Sequence, residues 1–299
     1  MLRILYIANH SKGQNDNEGA ITHALRALGH KVTRFNEREQ NVLQRVIDLQ
    51  HENDFVLFQK WGAKEDLAKI TIPKVFWYFD LVNFSDSTLA KRNLQRIDWM
   101  RRTIPHVSLG FCTDGDWVEQ DTSGKLIKLT QGADERVSKL VVPAQPSSEI
   151  VCTCQVRGGG TARGTFVEEM QKKFGDKFRI VGNVFRDELA PLFAKCAIVV
   201  APDAPVTDRY YSNRVYNSLN FGAFLLHPCS MALDEEYENG KDLLTYFNRK
   251  HLFDLIEAFI DEPQARDRIR MQGHLSTIGN HTYRHRCEVL IKTIQERLF

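Results

Sequence analysis

Short apolar runs recur along the chain, separated by segments whose apolar positions have helical spacing. Residues 2–8 form one such run, a polar loop through Gly13 follows, and residues 20–28 have helical spacing. Residues 31–35, 55–58, 74–79, 107–112 and 126–129 continue the series of apolar runs. Residues 137–148, with two prolines and three serines, read as a linker. The pattern then restarts, with strands predicted at 150–154, 178–181, 197–201, 223–227 and 243–246. Helical patterns at 166–174, 188–194, 252–260 and 283–298 lie between or after them. Strands alternating with helices predict parallel sheets, because parallel neighbours need a long crossover. The expected fold class is therefore α/β, with two Rossmann-like domains facing a cleft and ligands gathered at the carboxyl ends of the strands.

A chain of 299 residues has room for two domains of ordinary size. With 40 basic and 38 acidic residues the net charge is +2, which names no partner. The basic residues Lys91, Arg92, Arg96, Arg101 and Arg102 nevertheless cluster around Trp99. They read either as a solvated helix face or as a surface for an anionic acceptor. No apolar run reaches the length of a membrane span and no signal-peptide pattern opens the sequence, so a cytoplasmic protein is expected. Six cysteines fall mostly in or beside apolar strands without zinc-like spacing, as buried free thiols of a reducing compartment would. Cys152 and Cys154 are expected on opposite faces of their sheet.

The densest chemistry lies in Tyr211-Ser-Asn-Arg-Val-Tyr-Asn-Ser-Leu-Asn-Phe-Gly-Ala-Phe-Leu-Leu226. Ser212 and Asn213 are good N-caps, Val215, Leu219 and Phe221 supply an apolar face, and Gly222 is a helix stop. Free amides at the helix start, with the forked donors of Arg214, suit a phosphate, and Asn217 one turn on suits a sugar hydroxyl. The same residues would also make an ordinary capped helix with a surface arginine. Arg157-Gly-Gly-Gly-Thr-Ala-Arg163 follows a strand and opens a helix, so its glycines permit close backbone approach and Arg163 falls in the first turn. In Trp77-Tyr-Phe-Asp80 an acid ends an apolar strand. There Asp80 either accepts a proton from an attacking hydroxyl or caps the next turn. His10, after the first strand, is the rival base, and Gly13 beside it is a candidate ligand contact. Asp203 and Asp208 either touch sugar hydroxyls or solvate their loop. Asp114-Gly-Asp116 has the letters of a metal motif but lies in the first domain. The expectation is a metal-independent site, with Arg163, Arg214 and helix amides stabilising a departing diphosphate.

Residues 214–226, an acidic Gly-containing loop at 233–243 and a helical tail at 273–290 with His281-Thr-Tyr-Arg-His-Arg286 resemble CgeB-like glycosyltransferases, relatives of glycosyltransferase family 4. The order of pieces matches over roughly the last 90 residues. The resemblance implies a GT-B fold, with an acceptor-side domain at 1–140, a nucleotide-sugar domain at 141–280, and a helix at 281–299 returning to the first domain. It also implies a nucleoside-diphosphate sugar as donor, a UDP-sugar foremost and the sugar a hexose. In similar sequences an arginine at the place of Arg163 approaches the diphosphate. The loop corresponding to Gly182-Asn-Val-Phe185 cradles the base there, which makes Val184 and Phe185 candidate contacts unless Phe185 simply packs in the core. One departure stands out: relatives carry a glutamate at the position of Asn217, where it grips the ribose. Asparagine offers a neutral, weaker hydrogen bond.

The function expected is transfer of a sugar to an acceptor hydroxyl on a glycan or small molecule. One alternative is a phage-type enzyme acting on hydroxymethylated pyrimidines of DNA in a host cytoplasm. It would grip DNA through Lys91, Arg92, Arg96, Arg101 and Arg102 and flip the target base. A nucleotide-sugar-binding module without catalysis is the alternative of another class, and the Asn217 departure is what favours it.

Overall fold

A computed structural model describes residues 1–10, 16–62, 64–82, 90–141, 147–154, 161–202 and 207–299. The chain divides into two compact units, Met1–Gly132 with Tyr283–Phe299, and Ala133–Thr282.

The first unit runs β1 (Arg3–Ala8), α1 (Asn17–Ala27), β2 (Lys31–Asn36), α2 (Val42–Leu49), β3 (Phe55–Phe58), α3 (Lys64–Ala68), β4 (Lys74–Tyr78), α4 (Ala90–Thr103), β5 (Leu109–Cys112), α5 (Gly115–Glu119) and β6 (Leu126–Lys128). Its strands form a parallel sheet in the order β2-β1-β3-β4-β5-β6. Past Arg3 and Lys74, which open β1 and β4, the central strands are buried throughout because both faces are covered, as parallel sheets require. Ile4, Tyr6 and Trp77 pack with Ile21 and Leu25 of α1 on one face. Leu5, Ile7, Phe76 and Tyr78 pack with Val46 of α2 and Met100 of α4 on the other.

The second unit runs β7 (Ile150–Cys152), α6 (Ala162–Phe174), β8 (Phe178–Ile180), α7 (Leu189–Phe193), β9 (Ile198–Val200), α8 (Arg214–Asn220), β10 (Leu225–Pro228), α9 (Met231–Asp234), β11 (Leu244–Tyr246), α10 (Arg249–Phe259) and α11 (Pro263–Asn280). Its parallel sheet has the order β11-β10-β9-β7-β8. Val215 and Leu219 of α8 cover one face with Val151 and Val199, while Phe166 and Met170 of α6 cover the other with Ile150 and Ile198. The turn from α8 to β10 depends on Gly222, whose φ is +70°. There the Ala223 amide reaches the Ser218 carbonyl at 3.0 Å and the Gly222 amide reaches Leu219 at 2.9 Å, the paired bonds of a Schellman end.

After Thr282 the chain returns to the first unit as α12 (Tyr283–Leu298). Tyr283, Cys287, Leu290, Ile291 and Ile294 are buried with Ile21, Leu25 and Trp77, completing that side of the core. The helical tail of the family pattern is thus two helices, broken at His281 and Thr282, where it leaves one unit for the other.

Each of the eleven apolar runs forms a strand, most with shifted ends and β3 with the bounds expected. β7 stops at Cys152 rather than 154, because the Cys154 amide donates back to the Cys152 carbonyl at 3.1 Å and turns the chain at Thr153. Cys152 and Cys154 consequently lie on the same side, not on opposite faces, and pack in one cluster. Residues two apart on a strand share a face, and the turn brings these two closer still. Among the described residues no helix is long and apolar enough to cross a membrane.

Candidate functional site

In the second unit the candidate residues gather where β7 ends. Arg214 opens α8 and its Nε donates to the Thr153 carbonyl at 2.9 Å, while Nη1 lies 3.4 Å from Ser212 Oγ. Ser212 and Asn213 do not cap the helix through their side chains: Asn213 is the N-cap residue but makes no side-chain cap bond. The first turn closes through backbone bonds instead, Val215 to Ser212 at 3.2 Å and Asn217 to Asn213 at 2.9 Å. Ser212 Oγ serves Arg214 and leaves the helix amides aside. Asn217 is half-buried on the next turn.

Arg163 reaches the same neighbourhood from α6. Thr161 caps that helix, its Oγ1 accepting the Gly164 amide at 3.0 Å, which sets Arg163 in the first turn. The charges of Arg214 and Arg163 both act on the Cys152 and Cys154 thiols, so the two guanidiniums flank the end of β7 from different helices. His227 on β10 donates from Nδ1 to the Pro228 carbonyl at 2.8 Å. Burial pushes its pKa down to about 4, with the Arg214 charge adding, so it stays a neutral donor.

Beyond β8, the neighbour of β7, lie the two candidate base contacts. Asn183 and Arg186 hold left-handed backbone at φ 57° and 48° on either side of Val184 and Phe185. Such values are uncommon for residues with side chains and fix the loop's path. Val184 packs against the core, and the half-buried Phe185 gives its amide to Glu188 Oε2 at 3.2 Å. Beneath α8 runs a buried polar chain the sequence reading missed. Tyr211 and Tyr216 join hydroxyls, Tyr216 donates to Glu236 Oε2 at 2.8 Å, and His281 Nδ1 lies 3.1 Å from that oxygen. Its signal was the histidine opening the tail motif, which needed a partner once buried.

In the first unit His10 follows β1. Its ring meets Tyr6 edge-on at 5.0 Å, and Nε2 lies 3.3 Å from the Tyr6 carbonyl. That contact fits a donated Nε2–H, leaving Nδ1 as the basic atom of a neutral ring, and among the described residues Nδ1 has no hydrogen-bond partner. Burial lowers the His10 pKa below its ordinary value. Nearby, Glu18 in the first turn of α1 is raised to about 7 by burial, with the Asp16 charge adding. The sequence reading passed over Glu18, although an acid directly after the first strand's loop was its signal. Gly13 lies outside the described residues, as do Asp203 and the stretch from Arg157 to Gly160.

Asp80 does stand just past β4, but its carboxylate is engaged by Lys60 and by Arg96 Nη2, the latter at 3.2 Å. Arg96 also donates to the Leu81 carbonyl at 2.6 Å, so this member of the basic cluster points inward. Arg102 pairs with Asp98, and Arg101 is exposed. The side chains of Lys91 and Arg92 lie outside the described residues. Asp114 acts structurally, accepting the Trp117 amide at 3.2 Å as cap of α5 and the Val82 amide at 2.8 Å. Among the described residues no group of His, Cys, Asp or Glu is arranged to hold a metal.

Residues 163–292 match a family model described as glycosyl transferase-like. Comparison with curated proteins by sequence gives no significant match. Several solved structures share the fold across nearly the whole chain. Anabaena HepE, in complex with UDP and glucose, superposes with a TM-score of 0.67 at 12% identity, covering 99% of this chain and 100% of its own. Sucrose-phosphate synthase from Thermosynechococcus elongatus gives 0.69 at 12% identity, with 99% of both chains covered. An alpha-glucosyltransferase in complex with UDP and a 13-mer DNA gives 0.67 at 11% identity, covering 99% of this chain and 100% of its own. At these identities the likeness establishes the fold, two Rossmann-like units of GT-B type.

Proposed function

We propose that this chain is a glycosyltransferase that takes a sugar from a UDP-sugar and passes it to an acceptor hydroxyl, a reading supported by the family-model match over residues 163–292. The observation that carries the donor assignment is the convergence of Arg214 and Arg163 on the end of β7, with Ser212 beside them. Two guanidiniums from separate helices at the carboxyl end of a parallel strand suit a diphosphate, and they stabilise the charge that grows as it departs. Asn217 takes the ribose, and the Val184–Phe185 loop takes the base. The cationic pair lets transfer proceed without a metal ion, so a chelator leaves the rate unchanged.

The first unit supplies the acceptor side and the base. Asp80 was the first candidate, but Lys60 and Arg96 already engage its carboxylate. His10 is the better supported: among the described residues its Nδ1 meets no hydrogen-bond partner, and burial favours the neutral ring. A glycan or small-molecule hydroxyl is the acceptor we favour. DNA is the second reading, favoured by the likeness to an enzyme crystallised with DNA. The inward turn of Arg96 and the pairing of Arg102 remove two of the five cations proposed for that contact.

Purified protein incubated with UDP-sugars decides the matter. Donor consumption that rises with an added glycan or small-molecule acceptor supports the reading, and a rise only with hydroxymethylated DNA moves it to the second. Tight UDP binding with no consumption under any condition leaves a binding module.

A further inference from the structure

The turn that ends β7 brings two features onto one residue. Its i to i+2 hydrogen bond, Cys154 amide to Cys152 carbonyl at 3.1 Å, makes Thr153 the centre of a three-residue turn. On one side the turn draws the two free thiols together, Sγ to Sγ 3.2 Å, buried beside Phe166 and Met170. On the other it presents the Thr153 carbonyl to Arg214 Nε at 2.9 Å. Among the described residues the Cys152–Cys154 contact is the one thiol–thiol hydrogen bond.

We propose that Cys152 and Cys154 form a reversible thiol–disulfide pair, and that closing the disulfide weakens nucleotide binding by moving the Thr153 carbonyl that anchors Arg214. The second half rests on the assignment of Arg214 to the donor phosphates. Cys154 is the nucleophile. Cys152 donates its S–H to Cys154, and the charges of Arg214 and Arg163 further favour the thiolate there, while Cys152 is held protonated.

A small peroxide suits a sulfur so enclosed. The Cys154 thiolate attacks one peroxide oxygen, the O–O bond breaks, and hydroxide leaves and takes a proton to become water, giving a sulfenic acid. Cys152 then gives up its proton and attacks Cys154 Sγ. The S–S bond forms, the S–O bond breaks, and the hydroxide leaves with that proton as a second water. Two thiols and one peroxide become one disulfide and two waters, a two-electron oxidation. A dithiol reverses it by exchange. Closure must bring the sulfurs from 3.2 Å to about 2.05 Å across a single intervening residue, so the peptide at Thr153 has to rotate.

The test uses the full chain, reduced with a dithiol and then treated with hydrogen peroxide. Peptide mapping of the oxidised protein should find the segment holding Cys152 and Cys154 lighter by two hydrogens. Calorimetry with UDP should show about tenfold weaker binding to the oxidised form, the scale of one lost charged hydrogen bond, restored by re-reduction. Cys152→Ala should bind UDP before and after peroxide alike. Should that variant not fold, mapping and titration of the wild-type chain decide by themselves. A mapped disulfide with unchanged or tighter UDP binding overturns the coupling, and UDP binding without any such disulfide overturns the thiol pair. If the reduced protein fails to bind UDP, the donor assignment falls and takes the coupling with it.

Discussion

Arg214→Ala removes the proposed phosphate contact together with the bond to Thr153. UDP affinity should fall by about 1.5–3 kcal/mol by calorimetry, and Arg163→Ala should act alike. Arg214→Lys keeps the charge but loses the fork, so it should recover only part of the loss. Asn217→Ala should weaken UDP while leaving inorganic pyrophosphate nearly untouched, and equal losses would mean that it orders the helix instead. His10→Ala should depress turnover by roughly 10²–10⁴ with donor affinity preserved, whereas Asp80→Asn should lose less. The acid limb of the rate should fall below the ordinary histidine range, because burial keeps His10 neutral there. Glu18 gives a stability counterpart. Its carboxyl titrates near 7 when folded against 4.5 when free, so the folded state holds an extra proton between those values and loses that advantage as pH rises through 7. Glu18→Gln should therefore be neutral below pH 4.5 and stabilising by about 3 kcal/mol above pH 7 in urea unfolding.

The elements differ in how far the sequence foretold them, and the reasons are physical. Strands buried on both faces leave near-continuous apolar runs, which made β1, β3 and β4 plain. α11 was hard for the opposite reason: Arg266 and Arg270 are buried while Met271, Leu275 and Ile278 face outward, inverting the amphipathic pattern. α3, α5 and α9 are too short to show a period. The site followed suit. Arg214 and Arg163 could be picked out as candidates because arginines at helix starts are the residue type a phosphate site would select. Thr153 could not, because it engages Arg214 through a carbonyl that every residue owns, and the partners of Asp80, Lys60 and Arg96, come from distant elements that no local pattern reveals. Gly222 was legible as a stop, and its backbone bears a sharp test. A Cβ there would lie 2.6 Å from Leu140 Cδ1 and 3.3 Å from the Val141 amide nitrogen, on left-handed backbone. Gly222→Ala should cost at least about 1–2 kcal/mol in chemical denaturation, from the backbone alone.

At the scale of the whole molecule, the first unit is built from two separated stretches of chain, and the second from one. Leu290 belongs to α12 yet is fully buried with Ile21 and Trp77. Leu290→Ala should therefore destabilise the first unit by about 2–5 kcal/mol while leaving the second unit's unfolding in place, which hydrogen exchange resolves unit by unit. The returning helix also sets an order on the ribosome. Domains usually fold in the sequence in which they are made. Here residues 133–282 emerge as one complete unit, while the strands translated before them, one face covered only in part by α1, wait for residues 283–298. The part made first is finished last, and a nascent chain halted anywhere before Tyr283 carries an open apolar face for chaperones to cover.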